Sequence, residues 1–339
     1  MTTERPADTT VQNPVQLSSQ VLPGPEGLAP ANGPSPALRA ALAATTWVRL
    51  EVRHRVMADL QCQAFKGPLW RSVLGQQLEA VNPDAAQALH AGGQTHGRAA
   101  PVWCLAGPTN TATEIPAGTL LDSAVTLFGT AARWWPDCLS ALRSFEQAGL
   151  GHAGERVPLR LVDARVRTPA GLRPPGAADM HSRASDIFDA AQSESAALGP
   201  AGVEISFISP LHLIDGNRAV QQAPTLAQCL QRLLARLRAL APADLPLGLA
   251  ANGELAALQA WALTVPLADS AIHPVRMAHY SARQQGAYPL LGITGYAAHA
   301  APAALALPWL RLGEWLQLGK GTHFGQGVIA VSAGRPLVG

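Results

Sequence analysis

The chain has 339 residues, of which 48% are hydrophobic and 14% are charged, so most of it is expected to fold around a sizeable core. Its formal net charge of +2 excludes a histone-like or a strongly acidic class of protein. Five basic residues and one acidic residue, Glu314, follow residue 275, which gives +4 there and −2 in the remainder. An anionic partner is therefore expected to prefer the C-terminal end.

The cysteines and the apolar runs exclude further classes of protein. The four cysteines have no C-x-x-C spacing and no zinc pattern, which favours buried free thiols in a reducing cytoplasm. No apolar run reaches the ~18 residues of a membrane span, and the N-terminus lacks the order of a signal peptide. We expect a cytoplasmic protein that uses no metal or cofactor and has no membrane partner.

The N-terminal half is predicted to hold a tail and one domain. Residues 1–44 are predicted to be a disordered tail, since the first 40 are rich in Pro, Gly, Ser, Thr and Gln. Residues 45–167 show the order strand, helix, strand, strand, helix, strand. The first helix is followed by a second short one that begins at Asn82-Pro83, because Asn caps a helix and Pro fits its first turn.

The C-terminal half repeats that order. Residues 168–202 have a weak pattern and are predicted to be a linker or long loop. Residues 203–339 again show strand, helix, strand, strand, helix, strand, with one inserted helix near 250–263. Leucines at helical spacing predict a helix from 226 to 240, whose Arg232, Arg236 and Arg238 are expected on its exposed side. Two βαββαβ units predict an α+β protein with two tandem ferredoxin-like domains and antiparallel sheets.

A glycine-rich loop lies between the last helix and the last strand. Four glycines permit a positive φ and close approach to a ligand, and Lys320 and Thr322 lie among them, so the loop is a candidate phosphate seat: Gly319, Gly321, Gly325 and Gly327. The loop lacks the Ser or Thr that follows Lys in a Walker A motif, and it follows a helix, unlike a dinucleotide fingerprint. ATP and NAD are thereby disfavoured, and a tight structural turn remains the alternative.

Four stretches resemble the Cas6 family of CRISPR-associated RAMP proteins. They are H-Y-S-A-R-Q at 279–284, L-G-I-T-G at 291–295, G-K-G-T-H-F-G-Q-G at 319–327 and S-P-L at 209–211. The resemblance covers roughly residues 45–333 and is strongest in the last 60. It implies a metal-independent endoribonuclease that processes CRISPR precursor RNA within repeats. In that reaction the ribose 2′-OH attacks the adjacent phosphate and leaves a 2′,3′-cyclic phosphate and a 5′-OH.

The resemblance also suggests catalytic histidines. In one branch of the family the catalytic histidine ends a helix that starts N-P and closes L-H, and His90 fits that pattern. The branch carries a lysine six residues later, where this chain has His96, which we include among the catalytic candidates as a substitute by proximity. The branch also carries a tyrosine on the preceding helix, near Leu74-Gly75 here. His323 in the glycine-rich loop is the second candidate and His279 the third.

RNA contacts are expected from basic residues and from the loop. The predicted set is Arg276, Arg283, Gln284, Lys320, Gly319, Gly321, Thr322, Gly325, Gly327, Lys66 and Arg71. The expected partners are a CRISPR repeat transcript or crRNA and a CRISPR effector complex. Two alternatives stay open: a Cas6-like RAMP subunit that holds crRNA without cutting it, and a structural RNA-binding protein outside CRISPR.

Overall fold

A computed structural model of the chain describes residues 34–91, 93–95, 98–151, 155–241, 249–281 and 286–334. Within those ranges no helix is both long enough and apolar enough to cross a bilayer. The described residues form two main antiparallel sheets, one in each half of the chain, with helices packed on one face of each.

The N-terminal half runs from a short helix through the first large sheet. Its elements are α1 (Pro36–Ala44), β1 (Thr46–Val56), β2 (Leu60–Gln61), α2 (Gly67–Val81), α3 (Pro83–Ala91), β3 (Gly93–Thr95), β4 (Arg98–Ala100), β5 (Trp103–Ala106), β6 (Glu114–Ile115), β7 (Leu120–Phe128), a 3₁₀ turn (Gly129–Trp134), α4 (Trp135–Arg143), α5 (Phe145–Ala148), β8 (Leu159–Thr168), β9 (Gly171–Arg173) and β10 (Ser182–Arg183).

The C-terminal half begins with a helix and then builds the second large sheet. Its elements are α6 (Ala184–Leu198), β11 (Val203–Leu211), β12 (Ile214–Asp215), β13 (Arg218–Ala219), α7 (Leu226–Leu240), α8 (Leu249–Ala262), β14 (Leu267–Ser281), β15 (Gly286–His299), a 3₁₀ turn (Ala303–Ala306), α9 (Leu307–Leu316), a 3₁₀ turn (Thr322–Phe324) and β16 (Ile329–Ala333).

The two large sheets have the same strand order. The first is β5-β7-β1-β8-β9, and the second is β14-β15-β11-β16. In both, the first and third strands of a βαββαβ unit pair with each other, the second strand lies outside the third, and the last strand pairs with the other side of the first. The structure therefore confirms the predicted α+β fold of tandem ferredoxin-like units with antiparallel sheets.

Periodicity in the sequence explains why these elements form. In β1 the buried residues Val48, Leu50 and Val52 alternate with more exposed charged residues, as expected of a strand with one face on the core. Helix α7 buries leucines at helical spacing, and a capping box between Thr225 and Gln228 starts it. Each half thus has its own hydrophobic core between the sheet and its helices.

The disordered tail predicted over residues 1–44 is too long, because its last part is helical. Helix α1 occupies the last nine residues of that segment, capped by the Ser35 side chain, and it buries Leu38 and Leu42. These leucines contact the core of the C-terminal half. The helix was missed because it is short and follows a segment of disorder-prone composition.

The predicted linker is also wrong, because helix α6 occupies most of its second half. Its Phe188 lies edge-on to Trp309 of α9, with ring centroids 4.8 Å apart. The stripe that α6 buries also contains Ala184, Ala191 and Ser195, which carry little hydrophobic signal in a sequence. The helix therefore extends the C-terminal core rather than linking two separate bodies.

The two halves meet where α9 ends. The Gln317 side chain donates from Nε2 to the carbonyl oxygen of Leu105 at 2.8 Å and is itself buried. The rings of Trp47 and Trp315 lie 5.7 Å apart across the same contact. Arg236 of α7 donates to the carbonyl oxygen of Leu316, so it is buried and not on an exposed helix side as predicted.

Candidate active site

The glycine-rich loop of the C-terminal half packs directly on the N-terminal half. A Cβ on Gly67, the first residue of α2, would clash with the carbonyl oxygen of Phe324. A Cβ on Gly325 would lie 3.3 Å from the Gly67 Cα and 3.5 Å from the Leu105 carbonyl oxygen. Backbone therefore meets backbone here, and the 3₁₀ turn at 322–324 is held against α2 and β5.

The loop has the backbone shape that its glycines predict. Gly319, Gly321, Gly325 and Gly327 all have φ between 72 and 86. Several of its N–H groups, however, donate within the protein: Lys320 to the His212 carbonyl at 2.8 Å, Gly327 to the Pro210 carbonyl at 3.0 Å, and Val328 to Ser209 Oγ at 2.9 Å. The close approach that these glycines permit is thus made to other parts of the chain.

His90 lies at the end of α3 and is exposed. Asn82 starts this helix by accepting from the backbone N–H groups of Asp84 and Ala85 at 3.1 and 3.2 Å. The His90 ring faces α2 at a position without a side chain, since a Cβ on Gly75 would lie 3.6 Å from Nε2. Together they border a small cavity of about 10 Å³ whose other walls are Leu74, Leu78, Leu89, Trp103, Val125 and Cys138.

His323 lies beside this site on the 3₁₀ turn of the loop. Its ring centroid is 4.3 Å from that of Phe324 and 6.4 Å from that of Trp103. Trp103 is itself fixed by donating from Nε1 to the Leu89 carbonyl at 3.2 Å. Burial, together with the positive charges of Arg71, Arg236 and His90, lowers the pKa of His323 to about 4. His323 is therefore a neutral imidazole near pH 7.

Arg71 of α2 completes the cluster. Its guanidinium lies 4.5 Å from the centroid of the Phe324 ring, and burial lowers its pKa. Its Nε atom is buried without a hydrogen-bond partner, as are Arg236 Nη2 and His323 Nδ1. Across the described residues no carboxylate forms an ion pair with Arg71 or Arg236. A group of buried cationic side chains without a counter-ion favours an anion at this position.

The structure thus brings together three residues that were predicted from distant parts of the sequence: His90, His323 and Arg71. Sequence reasoning missed Trp103 and Arg236, which contact or polarise the same cluster. Arg236 was placed on an exposed helix side because the helical period does not reveal that α7 packs against α9 and also against the β3–β4 hairpin of the N-terminal half. Trp103 carries no motif that distinguishes it from a core tryptophan.

The other predicted residues lie apart from this cluster. Lys66 is fully buried, and its Nζ donates to the carbonyl oxygens of Ala64, Asn110 and Ala112, so it braces a loop and is not presented to a ligand. Lys320 is exposed and lies beside His212, whose pKa is lowered by burial and by that charge. Thr322 is buried, and Arg276 is exposed on β14. His96, Arg283, Gln284 and the side chain of His279 lie outside the described residues.

Comparison with known proteins gives a family match within the C-terminal half. Residues 205–329 match the model of the family described as CRISPR-associated endoribonuclease Cas6. The resemblance to the Cas6 family is confirmed. The Cas6 match includes β11, both strands of the β14–β15 hairpin and the glycine-rich loop, but not α3 or His90. No curated protein sequence matches the chain.

Solved structures support the same fold over a wider range. A Thermus thermophilus Cas6 superposes with a TM-score of 0.54 at 16% identity, over 86% of this chain and 100% of its own. A Cas6 product complex gives a TM-score of 0.55 at 16% identity, over 84% and 100%. A chain of a partial Cas6-RT-Cas1–Cas2 complex gives 0.59 at 13% identity, over 86% of this chain and 46% of that one. Both halves therefore share the Cas6 fold, including the half that the family model does not match.

Proposed function

We propose that the chain is a metal-independent endoribonuclease that cuts CRISPR precursor RNA within its repeats, through attack of a ribose 2′-OH on the adjacent phosphate. The observation that carries the proposal is the pair of guanidinium groups of Arg71 and Arg236, which lie with the neutral His323 beside His90. The two arginines are partly or fully buried without a carboxylate partner among the described residues, and a phosphate diester would supply the missing negative charge.

The reaction needs little from the protein because the nucleophile belongs to the substrate. The 2′-OH is one bond path from the phosphorus that it attacks, so alignment supplies much of the rate. His90 accepts the proton of the 2′-OH, and the 2′ oxygen bonds to phosphorus while the bond from phosphorus to the 5′ oxygen breaks. The imidazolium of His90 then returns the proton to that leaving oxygen. The products are a 2′,3′-cyclic phosphate and a 5′-OH.

Arg71 and His323 are assigned to the phosphate oxygens. Negative charge grows on these oxygens in the transition state, and a fixed guanidinium stabilises it more in a partly buried site than in water. His323, held neutral by its low pKa, donates a hydrogen bond from its ring N–H without adding a second full charge. The two residues come from different halves, so the docked glycine-rich loop is required for the complete site.

The comparisons support the class of substrate. The family whose model matches residues 205–329 is named for CRISPR endoribonucleases, and one structural neighbour is described as a Cas6 product complex. From this we assign a CRISPR repeat transcript as substrate and crRNA as product, and the cytoplasm stays our proposed location.

The test is cleavage of the repeat RNA from the cognate array in the presence of EDTA. We expect the wild type to cut once in each repeat and leave a 2′,3′-cyclic phosphate, and His90→Ala to lose roughly 10³-fold in rate while it still binds RNA. Asp84→Ala, on the same helix but at its other end, is the matched control. If the wild type binds the repeat tightly and leaves it intact, the chain is not a nuclease.

That negative result would favour the second candidate, a Cas6-like RAMP subunit that holds crRNA without cutting it. One observation favours this reading: Gly75 lies next to the His90 ring, where the resembling branch of the family would place a tyrosine. Without that side chain, the cavity beside His90 has only apolar walls. The active enzyme must then rely on Arg71 and His323 for the contacts that a tyrosine would make.

A further inference from the structure

Gln317, at the point where helix α9 ends and the glycine-rich loop begins, has a backbone conformation that favours glycine. Its φ is 60° and its ψ is 158°, a region that a Cβ makes unfavourable. The other positive-φ positions of the loop, 319, 321, 325 and 327, are all glycines. Among the described residues the one other non-glycine residue with a positive φ is Asn217, which is exposed in the turn between β12 and β13. A side chain at position 317 therefore needs an explanation.

The Gln317 side chain is buried and reaches across to the N-terminal half. Its Nε2 donates to the carbonyl oxygen of Leu105 at 2.8 Å, and the residue is 1% exposed. Its Oε1 is buried and has no hydrogen-bond partner in the described part of the chain. A buried polar atom without a partner destabilises the folded state. One hydrogen bond is thus accompanied by two unfavourable features, a strained backbone and an unpaired oxygen, which favours a functional role for that bond.

The acceptor, the Leu105 carbonyl, lies on β5, the outermost strand of the described N-terminal sheet. A carbonyl that points away from the sheet on such a strand has no neighbouring strand to donate to it, and Gln317 supplies the donor. The far end of the loop approaches the same atom, since a Cβ on Gly325 would lie 3.5 Å from it. Both ends of the loop therefore meet the N-terminal half at one peptide group.

Strand β5 also fixes the helix that carries His90. Trp103, two residues before Leu105, donates from Nε1 to the carbonyl oxygen of Leu89 at 3.2 Å. Its ring centroid lies 6.4 Å from that of His323. One short strand thus contacts the end of α3 through Trp103 and the glycine-rich loop through Leu105. A shift of the loop along β5 would change the distance between His90 and His323.

The glycine-rich loop is closed by its own hydrogen bonds. The N–H of Leu318 donates to the carbonyl of Gly327 at 2.8 Å. Within that closure the Gly321 carbonyl accepts from the N–H of Phe324 at 2.8 Å and from that of Gln326 at 3.2 Å. A displacement at the residue that precedes this closed loop should therefore move the whole loop.

We infer that Gln317 is a positioning residue, whose bond to Leu105 holds the glycine-rich loop, and with it His323, beside His90. Its catalytic consequence rests on the proposed function, to which it adds the residue that aligns the two halves. A glycine at position 317 would relieve the backbone strain but could not make this bond. The glutamine therefore keeps the loop in place at the expense of local strain.

The test uses two variants of Gln317 and one matched control. Gln317→Met keeps a long side chain and the strained backbone but removes the donor. Gln317→Gly removes the donor and relieves the strain, so it should fold even if the methionine variant does not. Asn217→Gly is the control, because it relieves the same kind of backbone conformation at an exposed turn.

The first measurement is NMR of the full chain with ¹³C-labelled histidine, in which the His323 signal is identified by its loss in His323→Gln. In the wild type this signal should stay that of a neutral ring down to pH 5, because burial and the charges of Arg71, Arg236 and His90 hold the pKa at about 4. In both Gln317 variants water should reach the ring of the released loop. The signal should then titrate with a midpoint closer to the ordinary 6.5.

Two further readouts separate positioning from general damage. The signal of His299, whose pKa burial lowers to about 4, should stay neutral down to pH 5 in every variant, which shows that the C-terminal core is intact. With saturating repeat RNA, kcat of both Gln317 variants should fall roughly tenfold while the RNA affinity is unchanged, since the loss is one of alignment. Asn217→Gly should match the wild type in all three measurements.

A His323 signal that remains neutral down to pH 5 in both Gln317 variants would overturn the inference. A signal that already titrates near pH 6.5 in the wild type would overturn it as well, because the loop would then not be held in place. If the wild type does not cut RNA, the proposed function fails, but the NMR comparison still decides whether Gln317 positions His323.

Discussion

The glycine-rich loop and the end of helix α3 reach the candidate site from opposite halves of the molecule, and they are built differently. The loop is defined by its backbone, through positive φ values and N–H groups that donate to nearby carbonyls. The end of α3 is defined by one capped helix and one exposed side chain, His90. The residue type is therefore restricted at many positions of the loop, whereas the end of α3 restricts it at few.

This difference explains why the recognisable half is not the half that carries the proposed base. The match to the Cas6 family model covers the loop and ends at residue 329, but it begins at 205, far beyond His90. A backbone that only glycine can adopt leaves a sequence pattern, while a histidine at a helix end does not. The motif-rich region supplies the scaffold and one proposed phosphate contact, His323, whereas the proposed base comes from the other half.

The contact between the two regions can be broken at Gly67. In Gly67→Ala the new Cβ would meet the Phe324 carbonyl, which cannot move without shifting the loop. We expect a loss of about 3 kcal/mol in the free energy of unfolding, because a backbone clash in a packed contact resembles overpacking. Chemical denaturation measures it.

Gly253→Ala is the control for that change. Gly253 lies in helix α8 with open space around it, so the same substitution should stabilise by about 0.5–1 kcal/mol through helix propensity. Equal stability changes in the two variants would show that the docked loop contributes nothing to the fold.

Arg71→Ala tests whether the N-terminal half supplies charge as well as a base. We expect the cleavage rate to fall roughly 100-fold, the usual cost of removing one transition-state donor, with a smaller change in RNA affinity. Arg133→Ala is the comparison, since Arg133 also stacks on an aromatic ring, that of Trp134, but lies outside the cluster. Single-turnover rates and equilibrium binding separate the two effects, and a loss confined to affinity would argue against the assigned role.

One buried histidine in each half allows the two halves to be compared through the pH dependence of stability. His299 in the C-terminal half is fully buried with neither ring nitrogen hydrogen-bonded, and burial lowers its pKa to about 4. The unfolded state therefore takes up a proton between pH 6.5 and about 4, so stability is complete above pH 6.5 and falls as the pH drops. We expect this residue alone to account for about 2 kcal/mol lost by pH 5.

The substitution His299→Leu should flatten that part of the stability profile, measured by denaturation at pH 7 and pH 5. In the N-terminal half, His54 is equally buried, but its Nε2 lies 3.0 Å from the Leu142 carbonyl oxygen, and burial lowers its pKa in turn. His54→Leu should cost stability at pH 7 as well, because it leaves that carbonyl unsatisfied. An unchanged profile in His299→Leu would mean that other groups control acid unfolding.

The smallest expected effect is at the other end of the loop. Lys320 is exposed and lies beside His212, away from the described contacts of His323. We expect Lys320→Ala to make the salt slope of RNA binding shallower by about 0.7, one phosphate contact on a single strand, while the cleavage rate at saturating RNA stays unchanged. An identical slope would mean that the loop acts only as a turn.

The sequence was sufficient to predict the helices and strands whose hydrophobic periodicity is strong. The leucine stripe of α7 and the alternating pattern of β1 each predict their element, and the repeated order predicts the tandem fold. Helices α1 and α6 could not be predicted in the same way, because one is short and the other buries small residues. Their burial depends on partners such as Trp309, which are distant in the chain.

The candidate site likewise has features that the sequence predicts and features that only the structure reveals. The loop and His90 could be found as separate features, but their convergence depends on the contact between Gly67 and Phe324, which no local pattern reveals. Lys66 shows the limit most clearly: a lysine just before a helix predicts a ligand contact, whereas three carbonyl oxygens hold its ammonium inside the protein. Only the path of the loop at residues 110–112 shows that Lys66 is held inside the protein and does not contact a ligand.

The burial of Lys66 has a practical consequence, because Lys66 and Lys320 are the only lysines in the chain. An amine-reactive dye would find Lys66 shielded and Lys320 exposed. Apart from the terminal amine, acylation at mildly alkaline pH should therefore attach one label, on the glycine-rich loop. The native sequence thus provides a reporter position for this loop without an engineered cysteine.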